Sequence, residues 1–390
     1  MKSGILAAAL GLAAANAFGY GPCDSAARFD GMYEARRPWG VALNEKRFDE
    51  VEQHFSGVLK AVQSGAMSDQ EATTLFGVFA VASPAREPLH REWINRYPKS
   101  EAAYLAGAVY YLDRAHSARG SKFAEETSDE QFEVMGEFLV KANGLLDEAE
   151  RLSKRPAMEI GQRIGIMTNT GNSQRTTQLY RKAIKDDPQT LLVRARYAWA
   201  SNPKWGGSVE QLSSIVGDAK NLPEADQRYV RYFVQYELAS SLETQKDEKR
   251  AAEAFENTYM LCPGLEGAIN AALRLREKSK EYALMLPIAE EYVKRYPARG
   301  KGYVSRGWAL YHTGKVKESF ADYEKAADLG YGRGYSGLAW YYETGTVVAK
   351  DPKRAVELYL AASAQGVSDA KGKAAALKAK MAAASAPAKP

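Results

Sequence analysis

Helix-breaking prolines and small residues recur at a nearly constant interval in the C-terminal part of this sequence. Pro297 follows Pro263 at an interval of 34 residues. On either side of them Ala239, Ala251, Gly307, Ala326, Ala339 and Ala362 fall among larger apolar residues such as Phe255, Tyr311, Phe320, Leu338 and Tyr359. A period of that length is one helix–turn–helix unit, and it constrains the fold more than any composition does. Two helices approach closely only where small side chains face each other. One hairpin cannot bury its apolar face alone, so hairpins stack on their neighbours. The expectation is an all-α chain, an α-solenoid of helical hairpins.

Two of these units carry recognisable residues. Tyr335, Leu338, Ala339, Tyr342, Gly345, Val348, Asp351, Arg354, Ala355, Tyr359, Ala362 and Gly366, at that spacing, resemble a Sel1-like repeat, with Val347 where that pattern has glycine. The preceding unit, with Tyr303, Gly307, Gly314, Tyr323, Ala326 and Gly330, is similar to a tetratricopeptide repeat. In the unit from Glu266 to Arg299, Leu273 stands at the small-residue position and Pro287 falls in the second helix, so this unit is expected to be kinked or displaced. Further upstream, Trp93 to Pro98, Arg119-Gly120 and Pro203 to Ser208, with Trp205-Gly206-Gly207-Ser208 the most specific piece, resemble the bacterial family named domain of unknown function 4034 over residues 45–215. That resemblance implies helical hairpins and no reaction. The repeat resemblance implies a right-handed superhelix that binds a protein or peptide on its concave face.

The domain organisation follows. Residues 1–17 read as a secretory signal: Lys2, the short apolar run Ile5 to Ala15, and small residues at Ala15-Asn16-Ala17. That run is too short for a permanent membrane anchor. Residues 18–42, with Gly31, Pro38 and Gly40, read as irregular. Residues 43–230 read as a helical-hairpin domain, 231–370 as the regular repeats, and 371–390 as a basic Ala/Lys-rich tail. Within the hairpin domain, Ser68 with Glu71 forms a capping-box pattern. The net charge of +5 is accounted for by the five lysines of that tail, so a basic nucleic-acid-binding surface on the fold has no support. The localisation expected is periplasmic or secreted. In such a compartment Cys23 and Cys262, the only cysteines, either pair or remain two free thiols. A bond closing so long a loop is worth about 5 kcal/mol in the chain-entropy account.

Motifs for chemistry are sparse. Gly332-Arg333-Gly334-Tyr335-Ser336-Gly337 spells GxGxxG, but a dinucleotide fingerprint needs a strand before it, and Phe320 to Leu329 read as helix. His54, His90, His116 and His312 lack the spacing of a metal site, and there is no HExxH, CxxC or GxSxG. No catalytic residue, metal or cofactor is therefore assigned. Gly206-Gly207-Ser208 is either an anion-binding helix start or a tight turn with Ser208 and Gln211 as its cap. The strongest constellation lies on the first helices of the last two hairpins. Trp308 and Trp340 occupy equivalent positions 32 residues apart, with Tyr311, His312, Arg333, Ser336 and Glu343 nearby. Tryptophan and arginine are frequent interface anchors; equally, both tryptophans fit inter-repeat packing. The function expected is a non-catalytic exported scaffold. The rival is an exported envelope hydrolase with its site in the N-terminal half, which a convergent cluster of buried titratable groups there would favour.

Overall fold

In a computed structural model that describes residues 23, 26–120 and 126–385, helices follow one another with no strand among the described residues. The chain divides into two compact units, Met1–Thr244 and Gln245–Pro390. The boundary read at 230 falls inside a continuous helix, Glu224–Thr244, and the break in contacts comes at its end. The signal segment 1–17 and the last five residues of the tail lie outside the described residues.

The first unit holds α1 (Ala26–Asn44), α2 (Phe48–Gln63), α3 (Asp69–Phe76), α4 (Glu87–Arg96), α5 (Glu101–Arg119), α6 (Asp129–Leu152), α7 (Ala157–Asn169), α8 (Ser173–Asp186), α9 (Leu191–Ala200), α10 (Val209–Asp218) and α11 (Glu224–Thr244). The irregular segment expected up to residue 42 is thus helical from 26 onward, with Pro38 inside α1. Helix α2 forms as its pattern predicts: Phe48, Val51, Phe55, Val58, Leu59 and Val62 all face the core. The capping box of Ser68 and Glu71 starts α3, and a second, Ser128 with Gln131, starts α6. Asp129 and Glu130 sit in that first turn, where negative charge is stabilised by the positive end of the helix dipole. Helix α5 is apolar on nearly every side, with Ala102, Ala103, Leu105, Ala106 and Ala108 fully buried, because it is covered from several directions.

The second unit runs α12 (Glu248–Tyr259), α13 (Glu266–Lys278), α14 (Tyr282–Arg295), α15 (Gly300–His312), α16 (Val316–Asp328), α17 (Gly332–Thr344), α18 (Pro352–Ala364) and α19 (Ala370–Ser385). From α12 onward each helix packs on the next, and the first helices α15 and α17 of consecutive hairpins also touch. The unit expected to be displaced is an ordinary hairpin: Pro287 lies within an uninterrupted α14. The tail is a last helix over most of its length, and its Ala374 and Leu377 join the core of the final hairpin.

One turn recurs through both units. Lys46, Gly171, Lys280 and Gly314 have positive φ, and each sits between the two helices of a hairpin. At all four the same pair of bonds closes the turn. The N–H of the residue after it donates to the carbonyl five residues back, as in Lys315 to Leu310 at 2.9 Å and Glu281 to Arg276 at 2.9 Å. The residue itself donates three back, as in Gly314 to Tyr311 at 3.2 Å and Lys280 to Glu277 at 3.0 Å. This left-handed cap satisfies helix-end carbonyls and reverses the chain within a few residues.

The glycines of the GxGxxG string are explained by contact. A Cβ on Gly334 would lie 2.6 Å from the Ala327 nitrogen, and one on Gly337 would lie 2.2 Å from the Tyr323 ring. They let α17 lie directly on α16, and no strand precedes them. Gly334→Ala is therefore expected to destabilise the protein by about 1–3 kcal/mol through overpacking. Gly372→Ala, in α19 with open space around it, should instead stabilise by about 0.5–1 kcal/mol. Thermal melts of the two variants beside the unsubstituted chain check both signs.

Candidate functional site

The residues singled out on α15 and α17 come together as an aromatic strip, but they are not alike. Trp308 is 37% exposed. Its ring meets His312 edge-on at 4.5 Å, and His312 lies flat on Tyr282 at 3.9 Å and 8°. Tyr311 meets Trp340 edge-on at 5.2 Å, and Trp340 meets Tyr341 at 5.0 Å. Tyr311 and Trp340 pack against the core of the last hairpins, whereas Trp308 stays at the surface. Glu343 accepts a hydrogen bond from the Tyr359 hydroxyl at 2.9 Å, which ties α17 to α18. Arg333 is exposed and makes no hydrogen bond or ion pair to a described residue; Ser336 is half-buried. The strip thus has an outward end, Trp308 with His312 and Tyr282, and a packed end, Tyr311 with Trp340.

Tyr282 is the member that sequence reasoning missed. It opens the second helix of its hairpin, so a search along first helices passes over it. It reaches His312 because α14 packs against α15.

Beneath the strip a polar relay joins three helices. The Ser319 hydroxyl on α16 donates to the Gly307 carbonyl of α15 at 2.6 Å and accepts from the Tyr341 hydroxyl of α17 at 2.8 Å. Ser319 is fully buried, and no side chain larger than glycine fits at 307 without pressing on Asp322 and Tyr323. Arg306 adds a two-toothed pair to the buried Asp322 at 2.6 and 2.8 Å. These contacts hold the register of α15, and with it the position of Trp308.

The first unit contains buried titratable groups, and they are engaged in packing. Glu159 on α7 is 1% exposed; burial, then the neighbouring Glu101 carboxylate, raises it to about 8. Glu101 takes a hydrogen bond from Ser153 at 2.9 Å. Arg155 bonds Asp187 at 2.6 Å and lies 3.6 Å from the buried Asp69, to which Thr190 donates at 3.0 Å. His90 stacks on Tyr110 at 4.9 Å, and burial, then the Arg86 charge, pulls it down to about 3. His54 lies flat on Trp39 at 3.9 Å and is lowered by burial to about 4. Each of these groups sits between helices. Among the described residues no group of three or more His, Cys, Asp or Glu side chains gathers as a metal site would require.

The Trp-Gly-Gly-Ser segment is a tight turn. Gly206 is left-handed at φ +83°, and a Cβ on Gly207 would lie 2.1 Å from the Ser201 carbonyl oxygen. Ser208 caps α10 by accepting the Gln211 N–H at 3.2 Å. The turn is anchored by Asn202, fully buried, whose amide donates to the carbonyl and carboxylate of Glu237 at 3.0 and 2.8 Å. Burial raises Glu237 to about 7, against the hydrogen bond from Asn202 and the nearby Lys204 charge. Both cysteines are buried.

No protein-family model and no curated protein matches the chain, so the resemblance read for residues 45–215 rests on those residues alone. Solved structures similar to it include MamA from residue 41 to its end from Desulfovibrio magneticus RS-1, at 22% identity over 48% of this chain and 93% of that one, with a TM-score of 0.32. Yeast Tom70 is 12% identical over 90% of this chain and 89% of that one, with a TM-score of 0.38. A monomeric mutant of IFIT1 with Gppp-AAAA is 11% identical over 90% and 71%, with a TM-score of 0.37. These are tetratricopeptide-repeat proteins. Superposition is loose in each case, and the repeat architecture of this chain rests on its own hairpins and turns.

Two expectations follow. Trp340→Ala should cost about 2 kcal/mol or more by leaving a hole beside Tyr311 and Tyr341, whereas Trp308→Ala should stay within about 1 kcal/mol; urea midpoints separate them. The second concerns Glu159. Its folded value lies above the unfolded one, so its contribution is complete below about pH 4.5 and is lost as pH rises through about 8. Glu159→Gln should remove that decline, so the gap between urea midpoints at pH 5 and pH 8 narrows in the variant.

Proposed function

We propose that this protein is an exported, non-catalytic scaffold that holds a peptide or protein partner on the first-helix face of its C-terminal repeats. The observation that carries the reading is Trp308. It is a large ring left at the surface at the end of an otherwise packed aromatic strip, on a helix whose register is held from beneath by Ser319 and Arg306. Exposed tryptophan on a rigid support is the usual form of an interface anchor. Arg333, exposed, adds a cation on the neighbouring first helix. Export is supported by the order of charge, apolar run and small residues in 1–17. The hydrolase reading is less well supported: its best carboxylate, Glu159, is sealed between helices.

The test is capture from an envelope extract by the immobilised chain from Phe18 onward, beside Trp308→Ala. Loss of a hot-spot tryptophan should weaken retention of the captured protein by about thirtyfold or more, with the circular dichroism spectrum unchanged. Equal retention by both proteins would remove Trp308 from the interface and the scaffold reading with it.

A further inference from the structure

The last described helix, α19, carries an exposed surface that neither the packing of the second unit nor the proposed scaffold role uses. Alanine, lysine, leucine and methionine, all strong helix formers, supply nearly all of it. Ala374 and Leu377 are buried in the core of the final hairpin, with Met381 packed against it in the same row. At about 100° per residue, Lys371 and Lys378 fall on one flank of that row and Lys373 and Lys380 on the other, all four exposed. Between the two flanks, on the side away from the core, lie Gly372, Ala375, Ala376, Ala379, Ala382 and Ala383, also exposed.

The charge on this surface is one-sided. Residues 370–390 hold five lysines and no acid. Of the four lysines in the helix, Lys373 alone is ion-paired among the described residues, to Asp369 at 2.7 Å. Both partners of that pair are well exposed, and such a pair holds its lysine weakly. The hydrogen bond and charge of Lys373 keep the Asp369 carboxyl below its ordinary value, and the charge of Arg333 acts on it in the same sense. That acid is already outnumbered by the cations around it.

The make-up of the face selects among anionic partners. Nucleic-acid recognition draws on arginine forks and on aromatic rings that stack on bases. Residues 370–385 contain neither. Lysine is a flexible point charge, suited to mobile anions without fixed geometry. Two rows of such charges on either side of a smooth alanine face let the helix lie on a plane with both rows engaged. Nothing on that face is larger than alanine, so the helix rests on the plane without inserting.

We propose that α19 docks this protein, side-on, to the anionic headgroup surface of a lipid bilayer. The attachment is electrostatic and reversible. Each lysine close to such a surface strengthens binding about fivefold. Four of them bring half-binding to on the order of 1 mM lipid. Salt screens the attraction and releases the protein.

The experiment uses the chain from Phe18 onward, so that the apolar run of 1–17 contributes nothing, and follows its sedimentation with phosphatidylcholine vesicles. Binding is expected when about one-third of the lipid is phosphatidylglycerol, with release as salt rises from about 50 mM to about 0.5 M. Lys371→Gln, Lys378→Gln and Lys380→Gln combined should weaken it by about a hundredfold, with the circular dichroism spectrum unchanged. The same three positions changed to arginine should bind as the unsubstituted chain does, and so should Trp308→Ala, which separates this surface from the scaffold face. The proposal is overturned by equal binding to vesicles of phosphatidylcholine alone, by binding that ignores salt, or by full binding in the glutamine variant. Loss of binding in the arginine variant would also overturn it, because charge would then not be the cause. Tighter binding to a DNA duplex than to the vesicles at the same salt would overturn it in favour of a nucleic acid.

Discussion

Four hairpins in this protein reverse a helix without leaving its last carbonyls unpaired, and all do so in the same way. The left-handed residue between the paired helices does this, because its neighbour's N–H reaches back to the last turn. Glycine takes that conformation at Gly171 and Gly314, but Lys46 and Lys280 take it with a full side chain. The conformation costs a lysine roughly 1–2 kcal/mol. That it persists at these two turns shows how strongly the packing of the paired helices over-determines it. Once the reversal is set, the second helix has few positions available, and contacts such as Gly307 against Asp322 and Gly334 against Ala327 follow.

Much of this was legible beforehand because spacing and side-chain size are properties of the string itself. The 34-residue interval, the small residues at Ala326, Ala339 and Ala362, and the capping box at Ser68 correspond to observed contacts. The departures have physical causes. Pro38 and Pro287 suggest breaks, yet each lies within a helix; tertiary packing overrides the local penalty of a missing donor. The GxGxxG letters mean close packing here because helix α16, and not a strand, comes before them.

The candidate site was legible only to the level of the helix face. Equivalent positions in two repeats made Trp308 and Trp340 look alike. Exposure depends on what stands opposite: Tyr311 and Tyr341 close over Trp340, while Trp308 is met by Tyr282 and His312 at its edge. Buried polar pairs were still less visible. Asn202 with Glu237 and Ser319 with Tyr341 join residues whose partners lie one or two helices away. A periodicity of apolar residues carries no information about them.

The half-open setting of Trp308 has a practical side. An indole whose one edge touches water and whose other edge touches a histidine ring emits according to its surroundings. Anything that settles on that face would displace solvent from it and alter the emitted colour, so this helix carries its own optical gauge of occupancy.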